Sequence, residues 1–333
     1  MSIFAAVLAF SLAGPTWTLQ TSGVNTRLRG VSAVNARVVW ASGSGSTVLR
    51  SDDGGASWRK ITVTSDRLDF RDIDAIDEKI TYVLSIGNGD ASRIYKTTDG
   101  GATWKLQFRN DDPKAFLDAM CFWDTDHGLV IGDSIDRQFY LLMTSDGGQH
   151  WTRIPPNKLP PAQDNEGAFA ASGTNIAAYG RNYAWIGLGA GARARVIRTS
   201  DGGRSWKVFE TPVKSGPSSG IFSISFRDAS HGVIVGGDYQ KENEAVDNLA
   251  ITSDGGQTWK LVKGLTGFRS VVAYVPGTKT LVAVGPAGGD YSVNDGHTWT
   301  PITGPGFDTF SFARSEKVGW GAGVRGAIGR LNF

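Results

Sequence analysis

Ser51-Asp-Asp-Gly-Gly-Ala-Ser-Trp58 returns along the chain as Thr97-Thr-Asp-Gly-Gly-Ala-Thr-Trp104, Thr144-Ser-Asp-Gly-Gly-Gln-His-Trp151, Thr199-Ser-Asp-Gly-Gly-Arg-Ser-Trp206 and Thr252-Ser-Asp-Gly-Gly-Gln-Thr-Trp259. A sixth copy, Ser292-Val-Asn-Asp-Gly-His-Thr-Trp299, has drifted, and a seventh survives only as a tail, Thr16-Trp-Thr-Leu-Gln20. Trp17, Trp58, Trp104, Trp151, Trp206, Trp259 and Trp299 are separated by 41, 46, 47, 55, 53 and 40 residues. Each interval is the length of one four-stranded propeller blade. The repeat therefore predicts an all-β chain folded as a seven-bladed β-propeller of four-stranded antiparallel blades.

The phrase has a mechanical reason to recur. Asp-Gly-Gly supplies positive φ for a hairpin turn, and the Asp carboxylate can accept backbone N–H groups inside it. The Ser or Thr two places earlier can bond in the same turn, and the Trp can pack between blades. Asp53, Asp99, Asp146, Asp201 and Asp254 are thus read as structural turn residues. A calcium role has little support, because each turn offers one carboxylate where the ion takes six or more oxygens.

Between the Trp positions lie β-rich runs ending in glycine, such as Arg37-Val-Val-Trp-Ala-Ser-Gly43, Gly128-Leu-Val-Ile-Gly132 and Gly232-Val-Ile-Val-Gly236. Continuous apolar runs of this kind suit strands covered on both faces. Ala327-Ile-Gly-Arg-Leu331 matches a strand that precedes an Asp-Gly-Gly turn, but no turn follows it. The ring is expected to close by pairing the Trp17 strand with this last blade, which removes an open sheet edge.

Composition narrows the function classes. The chain has 333 residues and 44 glycines, and 34 basic against 32 acidic residues give a formal charge of +2. No lysine-arginine block marks a nucleic-acid partner. Cys121 is the lone cysteine and is read as a core residue; four scattered histidines give no zinc spacing, so no metal and no cofactor is expected. There is no Gly-x-Gly-x-x-Gly strand-helix unit and no Cys-x-x-Cys-His haem site. The apolar run through Ser11-Leu-Ala13 reads as a signal peptide over residues 1–13, leaving the propeller as residues 14–333. No membrane-spanning segment is expected after its removal, and the product is expected to be monomeric in the periplasm or outside the cell.

The pattern Ser/Thr-x-Asp-x-Gly-x-x-Trp resembles the Asp-box (BNR) repeat of sialidases, sortilin-type receptors and the photosystem II stability/assembly factor family. In its whole-chain plan the protein looks most like that last family, whose members bind a membrane-protein partner during biogenesis. The sialidase resemblance is more distant: Leu28-Arg-Gly-Val31 stands where a Phe/Tyr-Arg-Ile-Pro motif is expected, and seven blades replace six.

The register sorts loops onto two faces, with the Asp-Gly-Gly turns on one and the starts of the innermost strands on the other. The second face collects charge. Arg29, Arg71 and Asp72, Asp118, Glu166 and Arg269 fall at the starts of innermost strands, and Asp90, Asp133, Arg193, Asp238, Tyr239, Asp290 and Arg325 follow the second strands. Pro155-Pro-Asn-Lys-Leu-Pro-Pro161 is expected to deliver Glu166 to this mouth, and the insertion 240–248 to wall it. Arg29, Arg71, Arg193, Asp238, Arg269 and Asp290 are the expected ligand-binding set, for an acidic glycan or a protein segment. The alternative reading, implied by the sialidase resemblance, is a glycoside hydrolase acting on an acidic glycan. Glu166, Asp118 and Asp133 would then be its acid-base carboxyls and Tyr239 an assisting phenol.

Overall fold

A computed structural model describes residues 14–333. The expected leader over residues 1–13 lies outside the described residues. Seven four-stranded antiparallel sheets form the blades, spanning 28–61, 69–109, 117–153, 176–210, 219–261, 271–302 and 309–332. The first strand of each blade touches the first strands of both neighbours, so these strands line the central channel and the ring is closed.

Closure follows the expected route. Thr16–Thr21 pairs antiparallel with Ala327–Asn332, from Thr16 opposite Asn332 to Thr21 opposite Ala327, and becomes the outer strand of blade seven. The Trp17 ring sits 4.6 Å from Phe307 and 5.9 Å from Phe310, sealing the seam with aromatic contact.

The Asp-Gly-Gly turns are repeated hydrogen-bond units. In the first, Ser51 Oγ accepts from Gly55 N at 2.7 Å and donates to Asp53 Oδ1 at 2.9 Å. Asp53 also accepts from Ser57 N at 2.9 Å and from Ser57 Oγ at 2.6 Å. Asp99 and Asp254 are held by the same set, and Asp201 likewise. In the third turn His150 replaces the hydroxyl donor, with Nδ1 2.6 Å from Asp146 Oδ2. These bonds hold Asp53 and Asp99 down at about 2. The second glycine of the turn is needed twice over. Gly101 has φ of 88°, and a Cβ there would lie 2.7 Å from Trp40 of the preceding blade. Gly148 and Gly256 lie in the same way against Tyr82 and Trp185.

Blades are also tied through a belt of polar side chains on the innermost strands. Ser311 Oγ accepts from Ala33 N at 3.3 Å, Ser32 Oγ from Ala75 N at 3.0 Å, Asp72 Oδ2 from Met120 N at 2.7 Å and Ser223 Oγ from Val272 N at 2.9 Å. Each satisfies a backbone donor of the next blade that burial would otherwise leave unpaired. Cys121 packs against the core between blades three and four, and burial pushes its thiol up.

Candidate functional site

A segment of blade four decides the shape of the channel. Sequence reading starts that blade's innermost strand near Glu166, but the strand is Ile176–Tyr179. The residues before it, 168–174, cross the channel instead. Ala170 O accepts from Arg71 Nη1 at 2.8 Å, Ser172 Oγ donates to Ser270 O at 2.9 Å, and Thr309 Oγ1 donates to Ser172 O at 3.3 Å. Thr174 Oγ1 reaches Ser223 Oγ at 2.8 Å. The crossing chain is thus tethered to blades two, five, six and seven. Gly173 must be glycine: its φ is 74°, and a Cβ would lie 2.1 Å from Asp72 Oδ1. Above this floor, on the face opposite the Asp-Gly-Gly turns, lies a cavity of about 440 Å³.

Backbone bulges aim side chains into the cavity. The pairing of first and second strands slips by one residue between Leu28 and Gly30, Phe70 and Asp72, Leu117 and Ala119, and Ile221 and Ser223. The residues skipped are Arg29, Arg71, Asp118 and Phe222, and all four line the cavity. An extra residue in one strand turns a side chain out of the alternation that would otherwise bury it between blades.

The cationic wall consists of Arg27, Arg29 and Arg71. Arg27 forms a two-pronged ion pair with Asp308, at 2.8 and 2.7 Å, and Arg71 Nε lies 3.1 Å from Asp69. Arg29 has no carboxylate within ion-pair distance among the described residues; its one hydrogen bond is to Ala171 O at 3.4 Å. Burial, followed by the charges of Arg71 and Arg27, lowers its guanidinium to about 10 against the pull of Asp308. It stays cationic at neutral pH and lacks a counter-ion.

Asp118 and Asp133 form the acidic wall. Asp118 is 1% exposed and its Oδ2 has no hydrogen-bond partner. Burial, then the charge of Asp133, pushes its carboxyl well above the usual range. Asp133 is raised to about 6 by burial, against a bond from the Ala168 backbone. Burial thus disfavours the charged form of both carboxyls, and each disfavours ionisation of its neighbour. Blades four to six supply an aromatic side: Phe169 stacks on Phe222 at 4.0 Å, and Phe268 meets Phe222 edge-on at 4.7 Å. Tyr239 stands at the rim, 45% exposed, with its ring 6.1 Å from Phe222.

Of the residues expected from sequence, the structure brings Arg29, Arg71, Asp118, Asp133 and Tyr239 to one cavity. Others are engaged elsewhere. The Glu166 carboxylate faces inward, not to the mouth: it is buried, bonded by Arg195 Nε at 2.8 Å and by Gln163 N at 2.7 Å. Arg269 and Asp290 are both fully buried and pair with each other at 2.6 Å, while Arg269 Nη1 also donates to Phe268 O. Arg269 precedes the innermost strand of blade six, which begins at Val271, and turns back into its own blade. Arg193 lies exposed, 3.5 Å from Glu210. Asp238 ends the second strand of blade five and accepts from Gln240 N. Asp90 and Arg325 sit in short 3-10 turns on loops, and Asp72 belongs to the interblade belt. Sequence reading missed Arg27, Asp308 and the crossing segment. Arg27 carried a signal, since it shares alternation with Arg29 at the same strand start. Insertion 240–248 does wall the cavity: Glu242 lines it, and the Glu242 carbonyl accepts from Phe268 N at 2.9 Å.

The fold and site define a seven-bladed β-propeller with a one-ended, charged and aromatic cavity. The chain belongs to the DUF6242 beta propeller domain family, whose model matches residues 7–231. Among curated proteins, none matches this sequence. Similar solved structures include YCF48 bound to D1 peptide, at 17% identity and TM-score 0.69, covering 97% of this chain and 98% of the other. YCF48 from Cyanidioschyzon merolae is similar at 16% identity and TM-score 0.67, with 95% and 99% covered. A GH74 xyloglucanase from Xanthomonas campestris aligns at 14% identity and TM-score 0.68, covering 95% of this chain and 53% of the enzyme. At these identities the likeness is one of fold. Among the described residues, no helix is long and apolar enough to cross a membrane.

Proposed function

We propose that this protein is an exported recognition propeller whose central cavity binds an acidic segment of a protein partner. The carrying observation is Arg29, a partly buried guanidinium without a counter-ion, on the cavity wall between two further arginines. A buried, unpaired cation is costly in the free protein and gains most from a carboxylate that arrives with the ligand. YCF48, which shares the fold, has been seen bound to a peptide. Export rests on the reading of residues 1–13.

The test compares acidic peptides with their Asn/Gln counterparts by calorimetry on wild type and Arg29→Ala. The reading expects the acidic peptides to bind at least tenfold better to wild type, and that preference to vanish in Arg29→Ala while its melting temperature holds. Equal binding of both peptide sets removes this function.

The hydrolase reading is favoured by one observation, the raised carboxyl of Asp133. Two features oppose it. Asp118 and Asp133 both project from blade three, whereas hydrolysis needs carboxyls on opposite sides of the bond. Glu166 is neutralised by Arg195. Release of reducing sugar from any acidic glycan, lost in Asp133→Asn, would reinstate it.

A further inference from the structure

The central cavity does not end at its own walls. Asp133, Ala168 and Phe169 also line a neighbouring groove of about 570 Å³ that runs between blades three and four, bordered by Asp136, Arg137 and Asp164. Axial passage is closed by the crossing segment, which is tied to blades two, six and seven by the bonds of Ala170 and Ser172. On the blade-five side the mouth is walled by Glu242, whose carbonyl is fixed by Phe268 N. With the floor closed and the blade-five side walled, a chain that seats a carboxylate at Arg29 has a continuous path along the mouth over Asp133 and into the groove.

The charges along that route are opposite in sign. Arg29 lacks an anion at the inner end. At the junction with the groove stands Asp133, with Asp118 on the cavity wall beside it, buried with an unpartnered Oδ2, and neither has a cation within ion-pair distance among the described residues. Farther out the acids are already engaged, Asp136 with Lys114 at 3.3 Å and Asp164 with Arg137 at 3.5 Å, both at exposed positions. The unmet electrostatic demand is thus an anion within the cavity and a cation or strong donor at the groove junction.

We infer that the ligand is an extended peptide segment of dipolar sequence, with an acidic side chain at Arg29 and a lysine or arginine next along the chain, placed over the Asp118–Asp133 pair as the segment enters the blade three–four groove. This rests on the acidic-segment reading and adds a second, separable determinant. Phe169 and Phe222, stacked on the side of the cavity that faces the charged walls, favour an apolar residue in the same segment. The arrangement also sets direction: each end of the site repels the wrong sign, so a segment in reversed order loses both pairings.

A random dodecapeptide library displayed on phage, selected against the whole protein, tests this without a known partner. Wild type is expected to enrich an acidic and a basic residue at one fixed spacing. Asp133→Asn should keep the acidic position and relax the basic one, and Arg29→Ala should do the reverse. For a selected peptide made synthetically, replacing the base by norleucine should weaken binding to wild type at least fivefold and leave Asp133→Asn unaffected. Thermal melts confirm that both variants fold. Acidic enrichment without a basic position, or a basic position that survives Asp133→Asn, overturns the dipolar ligand and leaves the acidic-segment reading standing. Basic enrichment alone, or no enriched peptide, overturns both.

Discussion

Asp133→Asn should make the protein more stable, and by an amount that depends on pH in a calculable way. Burial raises the carboxyl from 3.8 to about 6. Between those values the native state binds more protons than the unfolded chain, so stability falls as pH rises through this window. The full displacement corresponds to about 3 kcal/mol at pH 8, and roughly half of it is already present at pH 5. Asn removes the titration, so the difference in stability between variant and wild type should grow by about 1.4 kcal/mol from pH 5 to pH 8. For a domain of this size that is a relative gain of roughly 2 °C in melting temperature. Asp118 titrates in the same direction in both proteins, and because the charge of Asp133 adds to its shift, Asn relieves part of that penalty as well and enlarges the difference in the same direction. Urea unfolding at the two pH values measures it. A difference that stays constant with pH, or an Asn variant less stable at pH 8, would refute the account of Asp133 as a charge held in an unfavourable place for its ligand.

Three further outcomes follow from the geometry. Gly101→Ala forces a side chain into positive φ and against Trp40, so differential scanning calorimetry should show a loss of about 3 kcal/mol, or roughly 4–5 °C. Arg269→Ala leaves Asp290 buried and unpaired, which should cost about 3–5 kcal/mol in a denaturant melt while peptide affinity per folded molecule is unchanged; Arg29→Ala should show the opposite split. Gly173→Ala drives a methyl group into the Asp72 carboxylate and should loosen the crossing segment, read as faster amide exchange over residues 168–174 together with weaker peptide binding.

The repeat made the blades legible because each Asp-Gly-Gly turn is a local device: its Asp, its hydroxyl neighbour and its glycines bond within eight residues, and nothing distant is needed to read them. Closure by Trp17 was legible for a related reason, since a blade lacking its last strand and a strand lacking its blade leave one consistent pairing. The site was legible only as a face. Phe70-Arg71-Asp72 and Phe268-Arg269-Ser270 look equivalent in sequence, yet the first arginine reaches the cavity and the second is buried against Asp290. Register separates them: Arg71 sits at a slip in its strand pairing whereas Arg269 precedes its strand, and register is set by how two strands pair, which no single strand declares. Glu166 failed differently. Small residues such as Ala168, Ala170 and Ala171 suit an innermost strand as well as a chain threading a narrow channel, and only the positions of Arg71, Ser270 and Thr309 around it choose the second.

These two departures from the repeat together make the site. A strictly symmetric propeller would present the same residue seven times around an open tube, which suits axial passage and carries no direction. Bulges in four blades turn Arg29, Arg71, Asp118 and Phe222 inward, and one blade gives up the start of its innermost strand to close the tube. Charge then collects on blades seven, one, two and three, and aromatic surface on blades four, five and six. The Asp-Gly-Gly turns, interblade tryptophans and polar belt carry stability on the opposite face and between the blades. The cavity face is therefore free to hold an unpaired guanidinium and two desolvated carboxyls, a configuration that the free protein tolerates because the rest of the ring over-determines it.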